Sequence, residues 1–305
     1  MYDVLVIGAD GMVGGMVFNY LRDHSNVLGT CRSASSPHYK YVANRDIKSV
    51  ELLLSKLSSG ALVINCVAIL DLGEQDDVGK TSLLESIEVN SIFPHFLAKA
   101  CAAMGMRLIH ISTDAVFGSN PGYFSEDEDL CPNTTYGLTK ALGEVSGENV
   151  ITIRCSLVGP SYSVKKGGLW NWILHAEENA TIPGYTNNTW TGVTTLQFAR
   201  ICHKLLSQKC FFNILSVSGS LHHLCVNDQI TKYDLISKIA KRIRPDLKVK
   251  KEKSALPLNR LLNTSKGGLN NLLVKTDWDN EIDAIATLYP GYVKPEVSIR
   301  GELSK

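Results

Sequence analysis

The sequence of 305 residues predicts an α/β fold: a doubly wound parallel sheet with a smaller C-terminal substrate lobe. Three observations predict it. Apolar strand-like runs alternate with helical patterns through the first half of the chain. A glycine-rich turn at residues 8–14 follows the first of these runs directly. Beyond residue 155 the alternation stops, and Gly and Pro mark loops instead.

The elements follow from the apolar periodicity. The apolar runs of the first half predict strands at 3–8, 26–31, 61–67, 107–112 and 150–155. The amphipathic stretches between them predict helices at 12–23, 48–58, 82–104 and 135–147. The second half predicts a helix near 194–207, a strand at 220–226 and a helix near 231–243.

The turn after the first strand has the pattern of a dinucleotide-binding loop. Gly8, Gly11 and Gly14 lie between that strand and the first helix, as such a loop requires. Gly8 allows the turn, Gly11 lets the backbone approach a pyrophosphate, and Gly14 lets the helix pack closely on the strand. The phosphates would lie at the helix N-terminus, where free N–H groups favour anions. A plain glycine turn is the alternative. The predicted cofactor contacts of this loop are Gly8, Asp10, Gly11, Met12, Val13 and Gly14.

These elements predict two domains. Residues 1–155 form a Rossmann-type NADP-binding domain, and residues 194–220 pack back on it. Residues 156–193 and 221–305 form a substrate-binding lobe. We expect this lobe to close over the carboxyl edge of the sheet, where ligands bind in open α/β folds.

Three side chains point to carbonyl chemistry. Thr113 follows an apolar run, and Tyr136 and Lys140 lie four residues apart on one predicted helix face. A nearby cation favours phenolate, so Lys140 should lower the pKa of Tyr136 from its usual value of about 10. Thr113 adds a hydroxyl that can hold a carbonyl oxygen beside the phenol. The set suits carbonyl reduction or alcohol oxidation.

Composition excludes several partners. The net charge of +1 and a pI of about 7.6 give no field that favours nucleic acid or a membrane surface. No apolar run approaches the ~20 residues that a bilayer span needs. Most of the eight cysteines lie in apolar runs without a Cys-x-x-Cys pair, which predicts reduced thiols, no metal site and a cytoplasmic protein. The basic run 241–253 is interpreted as a solvated helix end, with a contact to an anionic partner as the alternative.

Several motifs carry a resemblance to a known family. They are Gly8-x-x-Gly11-x-x-Gly14, Ser112-Thr113-Asp114-x-Val116-Phe117, Tyr136-x-x-x-Lys140-x-x-Gly143-Glu144, Asn65-Cys66-Val67-Ala68 and Val89-Asn90. With them the chain resembles the extended short-chain dehydrogenase/reductases. More narrowly, it resembles the dTDP-4-dehydrorhamnose reductase group, which acts on nucleotide-linked sugars. The similarity is strong over 1–160 and weaker to about 245.

The resemblance implies a role for each matching residue. Tyr136 would protonate the sugar ketone, Lys140 would hold the nicotinamide ribose, and Thr113 would orient the carbonyl. Further cofactor contacts are implied at Asp46, Ile47, Cys66, Val67 and Ala68, and substrate contacts at Asp114, Arg154 and Trp190. From the residues alone, Arg154 either pairs with a carboxylate or reaches a diphosphate, and Trp190 either anchors the lobe or stacks on a base or sugar.

The end of the second strand indicates the cofactor. It lacks the acidic side chain that would bond the ribose of NAD, and Arg32 supplies a cation there. We therefore expect NADPH rather than NADH. In the alternative, Arg32 is an ordinary solvated arginine.

The leading hypothesis is an NADPH-dependent reductase of a nucleotide-activated 4-keto-6-deoxy sugar, acting in surface-polysaccharide precursor synthesis. The partner is then a nucleotide-diphosphate sugar, and a homodimer is left open. Ala115 replaces the group's usual aromatic residue and segment 71–87 departs from its common form, so the sugar stays undetermined. The alternatives are an epimerase or dehydratase of the same superfamily and a non-catalytic NADP-binding regulator, such as the β-subunit of methionine adenosyltransferase.

Overall fold

The computed structural model describes residues 1–31, 40–41, 47–70, 83–119, 121–161 and 167–290. Its strands are β1 (Tyr2–Ile7), β2 (Val27–Cys31), β3 (Lys40–Tyr41), β4 (Leu57–Asn65), β5 (Arg107–Ser112), β6 (Gly122–Phe124), β7 (Val150–Arg154), β8 (Leu157–Val158), β9 (Thr181–Tyr185), β10 (Thr189–Trp190), β11 (Val193–Thr194), β12 (Leu221–His223), β13 (Ile230–Thr231), β14 (Lys248–Glu252) and β15 (Arg260–Leu262).

Ten α-helices belong to the described part of the chain: α1 (Met12–Leu21), α2 (Ile47–Leu54), α3 (Leu83–Ile87), α4 (Phe93–Ala103), α5 (Thr135–Leu142), α6 (Leu169–Leu174), α7 (Thr195–Leu206), α8 (Gln208–Ser218), α9 (Lys232–Ile243) and α10 (Trp278–Leu288). A π-helical turn (Glu88–Ile92) joins α3 to α4, so the helix predicted over 82–104 consists of three segments. None of these helices has both the length and the apolar character that a bilayer span needs.

A seven-stranded sheet of order β12-β7-β5-β4-β1-β2-β3 forms the centre of the fold, and all its neighbouring strands are parallel. The order reverses at β1, as in doubly wound dinucleotide-binding folds. The predicted parallel sheet is confirmed. Of the predicted strands, the one that differs most is β4, which begins at Leu57 rather than at residue 61.

Both faces of this sheet are covered. Val4 and Val6 of β1 belong to one core cluster with α1 and α7, whereas Leu5 and Ile7 belong to another with α2 and α4. Successive side chains of a strand point to opposite faces, so a strand covered on both sides reads as a continuous apolar run. This is why the first half of the sequence predicts its strands so clearly.

The second half both extends the sheet and builds the lobe. Residues 221–223, which the sequence analysis assigned to the lobe, pair with β7 as β12 and complete the central sheet. Helix α7 packs on α1. A smaller sheet of order β13-β10-β15-β6 stands beside the end of β5, and the pair β9–β14 flanks α9. The basic run 241–253 covers the end of α9 and the largely solvent-facing strand β14.

The short helix α6 carries two tryptophans, Trp170 and Trp172. Trp170 is fully buried and Trp172 is 41% exposed, so only the first belongs to the core. Residues two apart on a helix point in different directions, which explains the difference.

Candidate active site

The glycine turn after β1 has the conformation that the sequence predicts. Gly8 adopts a positive φ of 84°, a region that favours glycine, and its N–H donates to Thr30 Oγ1 at 3.3 Å. Helix α1 begins at Met12, and its N-cap residue Gly11 provides no side-chain cap. The N–H groups of the first turn are therefore available to an anion.

Gly14 fixes the distance between α1 and the turn. A Cβ at this position would lie 2.2 Å from the carbonyl oxygen of Gly8, which is a backbone atom that cannot rotate away. Helix and turn therefore touch directly, and this contact presents the helix N-terminus to the cleft.

We expect Gly14→Ala to displace α1, because overpacking of this kind costs about 1–3 kcal/mol. The melting temperature should fall, and NADP⁺ affinity measured by calorimetry should fall with it. Gly167→Ala is the matched control, since a Cβ at Gly167 meets nothing within 4 Å. Equal behaviour of the two variants would contradict the close-packing role of Gly14.

A cleft of about 830 Å³ opens beside this turn, at the carboxyl ends of the central strands. Predicted cofactor residues that line it are Gly8, Asp10, Gly11, Cys66, Val67 and Ala68. Met12, Val13 and Gly14 lie in α1 outside the lining. Arg32 and Asp46 lie outside the described residues, and Ile47 is the first residue of α2.

Thr113, Tyr136 and Lys140 meet at the end of β5. Thr113 follows β5 and caps a 3₁₀ helix (Asp114–Phe117), its hydroxyl accepting from Ala115 N at 3.2 Å. Helix α5 begins under a cap by Thr134, which accepts from Gly137 N at 3.0 Å. These two caps place the phenol of Tyr136 beside the hydroxyl of Thr113.

The pKa of Tyr136 corrects the sequence-based expectation. Desolvation of the phenol raises its pKa above the ordinary value, and the hydrogen bond with Thr113 lowers it by less. The expected net lowering is therefore wrong, because desolvation of the phenol outweighs the effects that lower this pKa. Tyr136 is therefore protonated at neutral pH and has a proton to give.

Lys140 is almost completely buried beneath the site. Its Nζ donates to the carbonyl oxygen of Ile111 at 2.6 Å. Burial lowers the pKa of Lys140 to about 8, although the nearby carboxylate of Glu144 acts in the opposite direction. The charge of this lysine is thus held through neutral pH and is lost in the mildly alkaline range.

Asn65 and His110 form a chain of polar contacts that reaches Lys140, and the sequence predicts a role for neither. Asn65 Oδ1 accepts from Val67 N at 3.3 Å, and its amide nitrogen lies 3.1 Å from His110 Nδ1. His110 Nε2 lies 3.5 Å from Lys140 Nζ. Burial and the neighbouring lysine keep the pKa of His110 well below its usual value, so the imidazole is neutral. For Asn65, its place in the quoted motif Asn65-Cys66-Val67-Ala68 was the available signal.

Asn90 connects the cofactor loop to α5. Its amide exchanges two hydrogen bonds of 2.8 Å with the backbone of Ile69 and donates to Thr139 Oγ1 at 3.1 Å. Asn90 lies in the π-helical turn, a type of irregularity that is frequent at functional sites. The turn thereby fixes the loop after β4 relative to α5.

Arg154 is a structural residue, which corrects its assignment as a substrate contact. Its guanidinium binds both oxygens of Glu144, at 2.7 and 2.8 Å, and Glu144 also accepts from Ser112 Oγ at 2.6 Å. The arginine side chain is only 4% exposed. A guanidinium committed to this bidentate pair is not available to a diphosphate, and the side chain of Glu144 is itself only 13% exposed.

Trp190 has the position of a lobe anchor. It is 5% exposed and its ring centroid lies 5.4 Å from that of Trp278. The ammonium of Lys232 lies 4.9 Å from the Trp190 ring centroid. Asp114 is close by, with Oδ1 3.1 Å from Thr113 Oγ1 and 3.7 Å from a terminal nitrogen of Arg260.

The chain is similar to several characterised proteins. It is 31% identical to a dTDP-4-dehydrorhamnose reductase of Mycolicibacterium smegmatis over 143 residues, which are 46% of this chain and only 40% of that protein. It is 26% identical to methionine adenosyltransferase 2 subunit beta of Xenopus tropicalis over 246 residues, 77% of this chain and 70% of that protein.

Among solved structures, the fold is similar to dTDP-4-dehydrorhamnose reductase of Bacillus anthracis in complex with NADP. The TM-score is 0.71 at 17% identity, and the match covers 93% of this chain and 98% of that one. At this identity the likeness shows the fold. The RmlD substrate binding domain family matches residues 2–286. This match confirms the resemblance to the nucleotide-sugar reductase group of the short-chain dehydrogenase/reductases. The chain belongs to the RmlD substrate binding domain family.

Proposed function

We propose that this protein uses NADPH to reduce the keto group of a nucleotide-activated sugar. A 4-keto-6-deoxy sugar for surface-polysaccharide synthesis is the substrate class that the family relationship favours. The observation that carries the proposal is the convergence of Thr113, Tyr136 and Lys140 at one end of the sheet that also holds the glycine turn. The loop residues 66–68 line the cleft beside this turn.

The side chains have separable roles in the reaction. A bound nicotinamide cofactor supplies the hydride. Tyr136 remains protonated, and its hydroxyl transfers the proton to the carbonyl oxygen as negative charge develops there. Thr113 offers a second hydroxyl to that oxygen and orients the carbonyl. Lys140 provides a buried positive charge that favours this proton loss while its ammonium is charged, below a pH of about 8.

The preference for NADPH rests on Arg32, which follows β2 in the sequence, and on the absence of an acidic residue in Val27–Ser33. Arg32→Ala should weaken NADPH binding roughly 10-fold or more and leave NADH binding nearly unchanged, because a charge-assisted contact to phosphate is worth about 1.5–3 kcal/mol. Fluorescence titration with both cofactors measures the difference. Lys48→Ala is the control for a general loss of positive charge. If the substitution weakened the binding of NADPH and of NADH equally, Arg32 would not contact the 2′-phosphate.

The proposed reaction is tested with a panel of dTDP-, UDP- and GDP-linked keto sugars. NADPH absorbance should decrease only when a suitable sugar is added, and the product should carry a hydroxyl in place of the ketone. The absence of any such decrease across the panel, with NADPH still tightly bound, would reject the reductase.

A non-catalytic regulator is the second candidate, and the similarity to methionine adenosyltransferase 2 subunit beta favours it. The complete set of Thr113, Tyr136 and Lys140 favours an enzyme, because a binding module has no need of a proton donor. A dehydratase normally has an Asp-Glu pair beside the catalytic hydroxyl, and Ala115 follows Asp114 here.

A further inference from the structure

Two cations of the lobe stand beside the catalytic threonine. Strand β15 begins with Arg260, which pairs in register with Trp190 of β10. Lys232 opens α9 directly after β13, the other neighbour of β10. The small sheet therefore brings Arg260 and Lys232 together, next to the segment that follows β5.

The charges of the cluster formed by Asp114, Lys232 and Arg260 do not balance. Asp114 is its carboxylate, and that carboxylate already has hydrogen bonds with Thr113 and Ser156. Arg260 approaches Asp114 only to 3.7 Å, beyond hydrogen-bond distance, and Lys232 contacts the face of Trp190. Two positive groups thus share one negative group in a largely desolvated place.

Hydrogen-bond donors of the cluster are also unused. The Nε of Arg260 and the Nε1 of Trp190 are both buried without a hydrogen-bond partner among the described residues. Among the described residues, the ammonium of Lys232 has no hydrogen-bond acceptor. It lies over the ring of Trp190 instead. Buried donors without partners are costly, and each one in a native structure calls for an explanation. An anionic acceptor would satisfy the excess charge and the free donors together.

We propose that Arg260 and Lys232 form an anion-binding subsite for the substrate, beside the carbonyl held by Thr113 and Tyr136. This inference rests on the proposed function and narrows its substrate class. The ligand is an oxygen anion of carboxylate or phosphate type, because the edge of a guanidinium binds such groups in bidentate fashion. Its source is either a carboxylate on the sugar or the diphosphate that links the sugar to the nucleotide.

The test uses the NADP⁺ complex of wild type, Arg260→Gln and Lys232→Met. Lys251→Met is the matched control, because Lys251 also lies over an aromatic ring, that of Tyr233 at 5.1 Å, but is exposed. Malonate, a dicarboxylate without a nucleotide, should raise the melting temperature of wild type and of Lys251→Met. The same addition should have little effect on the two subsite variants.

Calorimetry with UDP, UDP-glucose and UDP-glucuronate then separates the two sources. If a sugar carboxylate occupies the subsite, UDP-glucuronate alone loses roughly 10- to 100-fold in affinity on either substitution, the range expected for one charge-assisted contact. If the diphosphate occupies it, all three ligands lose affinity alike.

Responses to malonate and to the nucleotides that are the same in all four proteins would overturn the subsite. The reductase proposal would survive that result, because it depends on NADPH oxidation and not on these two cations. Conversely, a malonate response confined to wild type and the control would support the subsite even if no keto sugar were reduced.

Discussion

Tyr136→Phe is expected to reduce turnover by about 10²–10⁴-fold, the usual contribution of a positioned general acid. The substitution removes only the hydroxyl that donates the proton, so the fold and the NADPH affinity should barely change. Steady-state rates with a reducible nucleotide-linked ketone measure the loss. The phenol is desolvated and hydrogen-bonded with Thr113, which holds it in position for the transfer.

Tyr123→Phe is the matched control, because Tyr123 is 61% exposed and its hydroxyl donates to Gln229 Oε1 at 2.7 Å. Its turnover should equal that of the wild type. If Tyr136→Phe kept most of the activity, the phenol would have no part in proton transfer.

Arg154→Met is expected to lower the free energy of unfolding by about 3–5 kcal/mol, because it leaves the largely buried carboxylate of Glu144 without its hydrogen-bonded partner charge. The glutamate side chain is 13% exposed and keeps only Ser112 among its hydrogen-bond partners. Urea denaturation measures the change. Adding Glu144→Gln to the same chain should restore much of the stability, since the orphaned charge is then gone.

The exposed pair of Arg242 and Asp283 provides the comparison. Its side chains are 45% and 58% exposed, so Arg242→Met should cost about 0–1 kcal/mol. If Arg154→Met and Arg242→Met lowered the free energy of unfolding by similar amounts, the buried ion pair would stabilise the fold no more than the exposed one.

The sequence predicts the central fold well because its signals are local. Each strand of the first half is an apolar run covered on both faces, and the positive φ of Gly8 requires the glycine that the motif contains. The spacing of Tyr136 and Lys140 also follows from helix periodicity alone. What local patterns predict, the structure contains in nearly the same places.

The remaining features depend on residues far apart in the chain. Strand β12 has only three residues, and its place beside β7 is set by tertiary pairing rather than by its own pattern. From the sequence alone, a pairing of Arg154 with a carboxylate could not be distinguished from a contact with a diphosphate. The sequence does not show that Glu144, ten residues away and just after α5, lies beside the arginine. Likewise, Arg260 meets Asp114 only through the lobe sheet, 146 positions along the chain.

The pKa of Tyr136 illustrates the same limit. A helical spacing indicates that Lys140 lies near the phenol, but not that its ammonium is bound to Ile111 O. Nor does spacing reveal how much water is excluded from the phenol, and this desolvation determines the direction of the shift.

Hydride transfer from deuterated NADPH tests the central claim most directly. NADPH labelled at the transferred position is mixed with wild type or Lys140→Met and a nucleotide-linked keto sugar, and mass spectrometry follows the label. We predict that wild type moves the deuterium onto the carbon that was the ketone, and that Lys140→Met nearly abolishes this transfer because the buried ammonium is lost. Tight NADPH binding by wild type without any labelled alcohol would contradict a reductase and leave a dinucleotide-binding module.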